Sequence, residues 1–148
     1  MRPSRLTMGA TLVGAAFVTA AVLQAGGRGA AAAPPQGHVL RVVEHDFGIK
    51  VTPQRVAAGD VVIRVTNRGP DAHELIVVRT DGGVLPLRPD GITVNEDAVA
   101  KETPGSLEPA GAGKTRELHL HLTPGRYTLL CNMYGHFMGG MHASVVVQ

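Results

Sequence analysis

The chain has 148 residues, 14 Lys and Arg against 12 Asp and Glu, one cysteine and only 3% aromatic residues. A single cysteine excludes an internal disulfide. Few aromatics and scattered basic residues exclude a stacking or phosphate-gripping surface for nucleic acid. Arg2, Arg5 and Arg28 precede residue 34 and every acid follows it, so taking these three from 14 leaves 11 bases against 12 acids, a formal −1.

Residues 1–33 read as a signal peptide or an N-terminal membrane anchor. Arg2 and Arg5 are followed by an uncharged, Ala/Val/Leu/Gly-rich run over 6–23 and then by small residues. That order of basic, apolar and small is a secretory signal, and it predicts export to the periplasm, the cell surface or the exterior. If uncleaved, this segment is the chain's only tie to a membrane. Residues 34–148 are enough for one small domain with one core.

Within that domain, HVLRVVEHDF is rich in β-branched residues and predicts a strand, continued by GIKVTPQRV, where Pro53 marks an edge or a bend. AAGD is a turn before VVIRVTN, a strand with Val61, Ile63 and Val65 on one face. NRGPDA is a second turn, dense in turn formers. HELIVVR follows, its apolar run pointing to burial. Residues 81–113 break the rhythm with Pro86, Pro89, Pro104 and Pro109, and predict a long insertion with a short helix over 93–102. TRELHLHL returns to period two, with Leu118, Leu120 and Leu122 facing in and His119 and His121 facing out to solvent. YTLLC and HASVVV close the domain. Short strands and frequent Gly/Pro turns predict an all-β sandwich.

The chemistry concentrates in CNMYGHFMGGM. Cys131 ends one predicted strand, Met141 precedes the next, and His136 lies midway, five residues from each. Gly135, Gly139 and Gly140 let the intervening loop fold back. A thiolate, an imidazole and a thioether select a soft transition metal over calcium or magnesium. Zinc rarely takes a thioether, whereas copper accepts all three. A copper electron-transfer site needs two histidines and a cysteine near one plane, with a distant methionine. The second histidine must come from elsewhere, and His73 is the best candidate, because it opens a strand just after a turn at one end of the sandwich.

AGDVVIRVTNRGPDAHELIV and YTLLCNMYGHFMGGM together resemble the cupredoxins, the plastocyanin/azurin-like blue copper proteins. The loop spacing is similar to that of azurin, auracyanin and sulfocyanin. The resemblance, which covers the domain apart from the long insertion between middle strands at 81–113, implies a Greek-key β-sandwich and one Cu(I)/Cu(II) ion. It implies His73, Cys131 and His136 as equatorial ligands and Met141 as the axial one. It further implies a monomer that passes single electrons to a redox partner protein, with no catalysis of its own. The chain departs from the family pattern in having Glu74 where an asparagine is common and Tyr134 where a proline is common. No exposed apolar docking patch is identifiable from the sequence.

A second reading stays open. Met138, two residues after His136, with Met133 and His142 nearby, suits a carrier or resistance protein that delivers Cu(I) to a copper-accepting protein. Under the first reading Met138 is a surface methionine of the loop. Phe137 is expected to shield the His136 ring or to pack beneath the loop. A third reading, a metal-free extracellular binding module, leaves the cysteine loop unexplained.

Overall fold

The computed structural model describes residues 38–148. The reading of residues 1–33 as signal or anchor lies outside the described residues. Among the described residues no helix is long and apolar enough to cross a membrane.

Among the described residues nine strands form: β1 (His38–His45), β2 (Gly48–Thr52), β3 (Arg55–Val56), β4 (Gly59–Asn67), β5 (His73–Arg79), β6 (Gly105–Ala110), β7 (Thr115–Leu122), β8 (Gly125–Leu130) and β9 (His142–Val147). They build a four-stranded sheet of order β2-β1-β4-β7 and a five-stranded sheet of order β3-β9-β8-β5-β6. The chain crosses repeatedly between the two, and β1 pairs with β4, and β3 with β9, in parallel. This is the Greek-key sandwich expected from the sequence.

Period-two patterning explains the core. In β4, Val61, Ile63 and Val65 are buried and alternate with outward residues. The β1 register sets Leu40 beside Ile63 and Val42 beside Val65. These side chains pack against Leu75, Val77, Leu129, Val145 and Val147 of the facing sheet. Each such side chain contributes about 1.5–3 kcal/mol by leaving water. His119 and His121 lie on the exposed face of β7, as its alternation predicts.

The Leu-Ile-Val-Val run of β5 is buried on both faces. Leu75 and Val77 face the sandwich core, while Ile76 and Val78 join Val94, Val99 and Leu130 in a second apolar cluster. That cluster lies under part of the stretch read as an insertion. Within it, α1 (Glu96–Val99) and a 3₁₀ turn (Ala100–Glu102) form where a short helix was expected. Asn95 caps α1 by accepting from the Ala98 amide. The last part of the stretch is β6, an edge strand hydrogen-bonded to β5. Residues 81–104 therefore cover one sheet face, and 105–110 extend the sheet itself.

Candidate metal centre

Three turns and one loop meet at the end of the sandwich where β1 and β4 finish. Asn67, fully buried at the end of β4, organises the turn that leads to β5. Its amide donates to the Asp71 and Ala110 carbonyls at 2.7 and 2.9 Å, and its oxygen accepts from Gly69 N at 2.8 Å. His73 then enters the sheet beside a register irregularity between His73 and Leu75 and is buried.

The Cys131 loop is closed at its neck, where Cys131 N donates to Met141 O at 3.1 Å. Inside the loop Met141 N donates to His136 O at 3.0 Å, and Gly139 N to Gly135 O at 2.9 Å. Gly135 and Gly140 have φ of 82° and 101°, values that side chains rarely adopt. The loop thereby returns His136 toward Cys131.

Ligand atoms of His73, Cys131 and His136 lie within 4.8 Å of one another. His136 Nδ1 is 3.3 Å from His73 Nδ1 and 3.3 Å from Cys131 Sγ. Donors held about 2.0–2.3 Å from one soft ion are at most about 4.4 Å apart, and both measured separations fit. With His73 Nε2 against the Asp46 carboxylate, a neutral His73 presents its Nδ1 lone pair to the cluster. Two imidazole nitrogens and a sulfur gathered this closely can share hydrogen bonds among themselves, and the same three donors suit a soft cation. His73 and Cys131 are fully buried, while His136 is partly exposed.

Met141 is fully buried at the loop neck. Met138 is exposed, as are Tyr134 and Phe47. His136 stands edge-on to Phe47, ring centroids 5.7 Å apart, and not to Phe137. Phe137 instead packs against the second apolar cluster and the His142 ring. The expectation that Phe137 shields His136 gives way to Phe47, which the sequence places 89 residues upstream.

The electrostatics oppose free charge on the donors. Burial lowers the pKa of His73, and the Asp46 hydrogen bond partly offsets it. Burial pushes the Cys131 thiol up, while the Met133 and Glu74 amides, hydrogen-bonded to the sulfur, pull it back. Glu74, the departure noted above, accepts from Asn132 N at 3.0 Å, so its backbone steadies the sulfur and its carboxylate steadies the residue after Cys131. The Asn132 side chain continues the scaffold outward. It pairs with Val94 through both backbone groups and donates to Glu96, tying residues 94–96 to the cysteine loop.

Asp46, Phe47, Asn67 and Asn132 escaped the sequence reading. The available signals were weak ones: an Asp-Phe pair in a tight hairpin, and asparagines bordering the predicted histidine turn and the cysteine.

No protein-family model matches the chain, and no curated protein matches it by sequence. Solved structures do. Auracyanin from Roseiflexus castenholzii superposes with a TM-score of 0.54 at 16% identity, over 76% of this chain and 98% of that one. An azurin from Methylomonas sp. strain J gives 0.52 at 13%, over 75% and 98%. Rusticyanin from Thiobacillus ferrooxidans gives 0.51 at 15%, over 76% and 79%. At these identities the likeness is one of fold, and that fold is the cupredoxin sandwich.

Proposed function

From a cupredoxin sandwich whose polar end gathers two imidazoles and a thiol, we propose that this protein is an exported one-electron carrier holding a single copper ion. The convergence of His73 Nδ1, His136 Nδ1 and Cys131 Sγ carries the reading. It is supported by the likeness to proteins such as rusticyanin, described as a copper protein. Copper, when bound, supplies the Cu(II)/Cu(I) couple. His73, Cys131 and His136 would hold it as strong ligands, with the buried Met141 as a weaker fourth.

The residues around the donors suit electron transfer. The Met133 and Glu74 amides partly offset the burial that disfavours a thiolate on Cys131, the form in which it would hold copper. Glu74, Asn132 and the Met141–Cys131 backbone bond hold the loop in place whether or not its charge changes. Small ligand movement means little reorganisation on gaining or losing an electron. Burial of His73 and Cys131 excludes water, while the partly exposed His136 gives the electron a short path to a redox partner protein. Exposed Phe47, Tyr134 and Met138 give that end an apolar contact surface that the sequence alone did not reveal. With His73, Cys131, His136 and Met141 filling the positions around a copper ion, we read a monomeric electron carrier and not an enzyme.

The second reading, a carrier delivering Cu(I), is favoured by one observation: Met138 is exposed two residues from His136, where an incoming acceptor could reach it. Titration of the purified protein with Cu(II), followed by visible spectroscopy and voltammetry, separates the readings. One equivalent of copper with an intense thiolate charge-transfer band and reversible reduction supports the electron carrier. Tight Cu(I) binding without that band supports delivery. Absence of stoichiometric copper defeats both.

A further inference from the structure

The β1–β2 hairpin turn touches both imidazoles. Asp46 Oδ1 lies 3.0 Å from His73 Nε2, the ring nitrogen turned away from the donor cluster. The next residue, Phe47, has φ of 59°, a left-handed conformation uncommon for a bulky side chain. Its ring stands against His136 and occupies the space above Gly139. A residue held in this conformation is retained where surrounding contacts require it.

Room for the Asp46 contact depends on Gly69. A Cβ at this position would lie 2.5 Å from Asp46 Oδ1 and 2.9 Å from His73 Nε2. Gly69 is buried and fixed by its hydrogen bond to Asn67. The turn before His73 is thus shaped to admit a carboxylate from a different hairpin.

We infer that Asp46 is a positioning residue for the metal centre: it fixes the orientation and tautomer of His73 and biases the site toward the oxidised ion. The inference rests on the copper reading above. As acceptor for Nε2–H, the carboxylate leaves the Nδ1 lone pair facing Cys131 and His136. Its negative charge, one imidazole away from the metal position, stabilises Cu(II) more than Cu(I) and lowers the potential. Carboxylate–histidine–metal relays of this kind commonly change metal affinity 10- to 100-fold when broken.

Three variants test it by voltammetry and copper titration. Asp46→Asn keeps the size and an acceptor oxygen but removes the charge, and raises the midpoint potential. Asp46→Ala also removes the hydrogen bond, and lowers Cu(II) affinity relative to Cu(I) by about 10-fold, a shift of about +59 mV for one electron. Gly69→Ala keeps the charge and breaks the contact sterically, and shifts the potential in the same direction. Asp60→Asn, which removes a carboxylate from the exposed pair with His121, leaves it unchanged. Melting of the metal-free variants confirms folding. In the metal-free wild type, nitrogen NMR finds the His73 proton on Nε2; a proton on Nδ1 overturns the inference. A copper-binding wild type with Asp46→Asn at the same potential overturns it too, and leaves the copper site standing. A wild type that binds no copper removes both.

Discussion

At the β7–β8 turn the sandwich is closed by Leu122, Tyr127 and Val147, with a Tyr127 hydroxyl donating to Thr123 O at 2.9 Å. At the other end, where β1 and β4 finish, it is closed by Glu44, Asn67, His73 and Asn132, the buried polar residues among the described ones. Apolar closure is held by shape and area. Polar closure is held by hydrogen bonds, and each unpaired buried group there costs about 1–3 kcal/mol. Placing these four buried polar residues at one end gives up easy stability there for a fixed arrangement of side chains. Substitutions at the two ends should therefore be read out differently, one in folding and the other in metal chemistry.

The sharpest contrast comes from Cys131→Ser. It removes the thiolate from a preformed loop, and we expect complete loss of the charge-transfer band, with circular dichroism showing the sandwich intact. A surviving band would move the metal away from the polar end. Leu129→Ala, in the core and fully buried, should do the converse. Chemical denaturation should show a loss of about 2–5 kcal/mol, and the variant that remains folded should keep its copper stoichiometry.

Asn67→Ala falls between the two. It orphans the Gly69 amide and two carbonyls, and should cost about 1–3 kcal/mol while loosening the turn before His73, seen as weaker copper binding. If stability falls and affinity does not, the polar end is structural only.

Glu44 tests the polar end through pH. Burial pushes its pKa up to about 7 from 4.5, opposed by Arg116 and reinforced by Glu74. Arg116 donates to one carboxylate oxygen at 2.7 Å, and the other oxygen has no partner. A carboxyl whose folded pKa is raised stabilises the fold fully below about 4.5 and loses that contribution as pH rises through about 7. Glu44→Gln should therefore gain melting temperature relative to wild type between pH 5 and 7.5 in the metal-free protein. Parallel curves would contradict this. The smallest effect is expected at Met138→Leu, which should leave spectrum and potential nearly unchanged. A large fall in Cu(I) affinity would favour the delivery reading.

Much of this contrast was legible in the sequence. Period two marked β4 and β7, and the double burial of β5 followed from its unbroken apolar run. The convergence of Cys131, His136 and His73 was legible because metal-binding residue types are few and their spacing is local to a loop and a turn. Less legible was residues 81–113, where proline and glycine masked an edge strand whose partner, β5, is defined by register and not by composition. Least legible were the supports. Asp46 meets His73 across 27 residues and Phe47 meets His136 across 89, and neither carries a mark in its own neighbourhood. The converging donors follow from local motifs, whereas the groups packed against them follow from which turns the topology brings together.

The most direct test is a crystal structure of the protein grown with one equivalent of copper. The account predicts a single ion bound by His73 Nδ1, Cys131 Sγ and His136 Nδ1, with Asp46 still on His73 Nε2. Copper bound instead at His119 and His121 on the exposed face of β7, or at the Cys131 loop without His73, would contradict it.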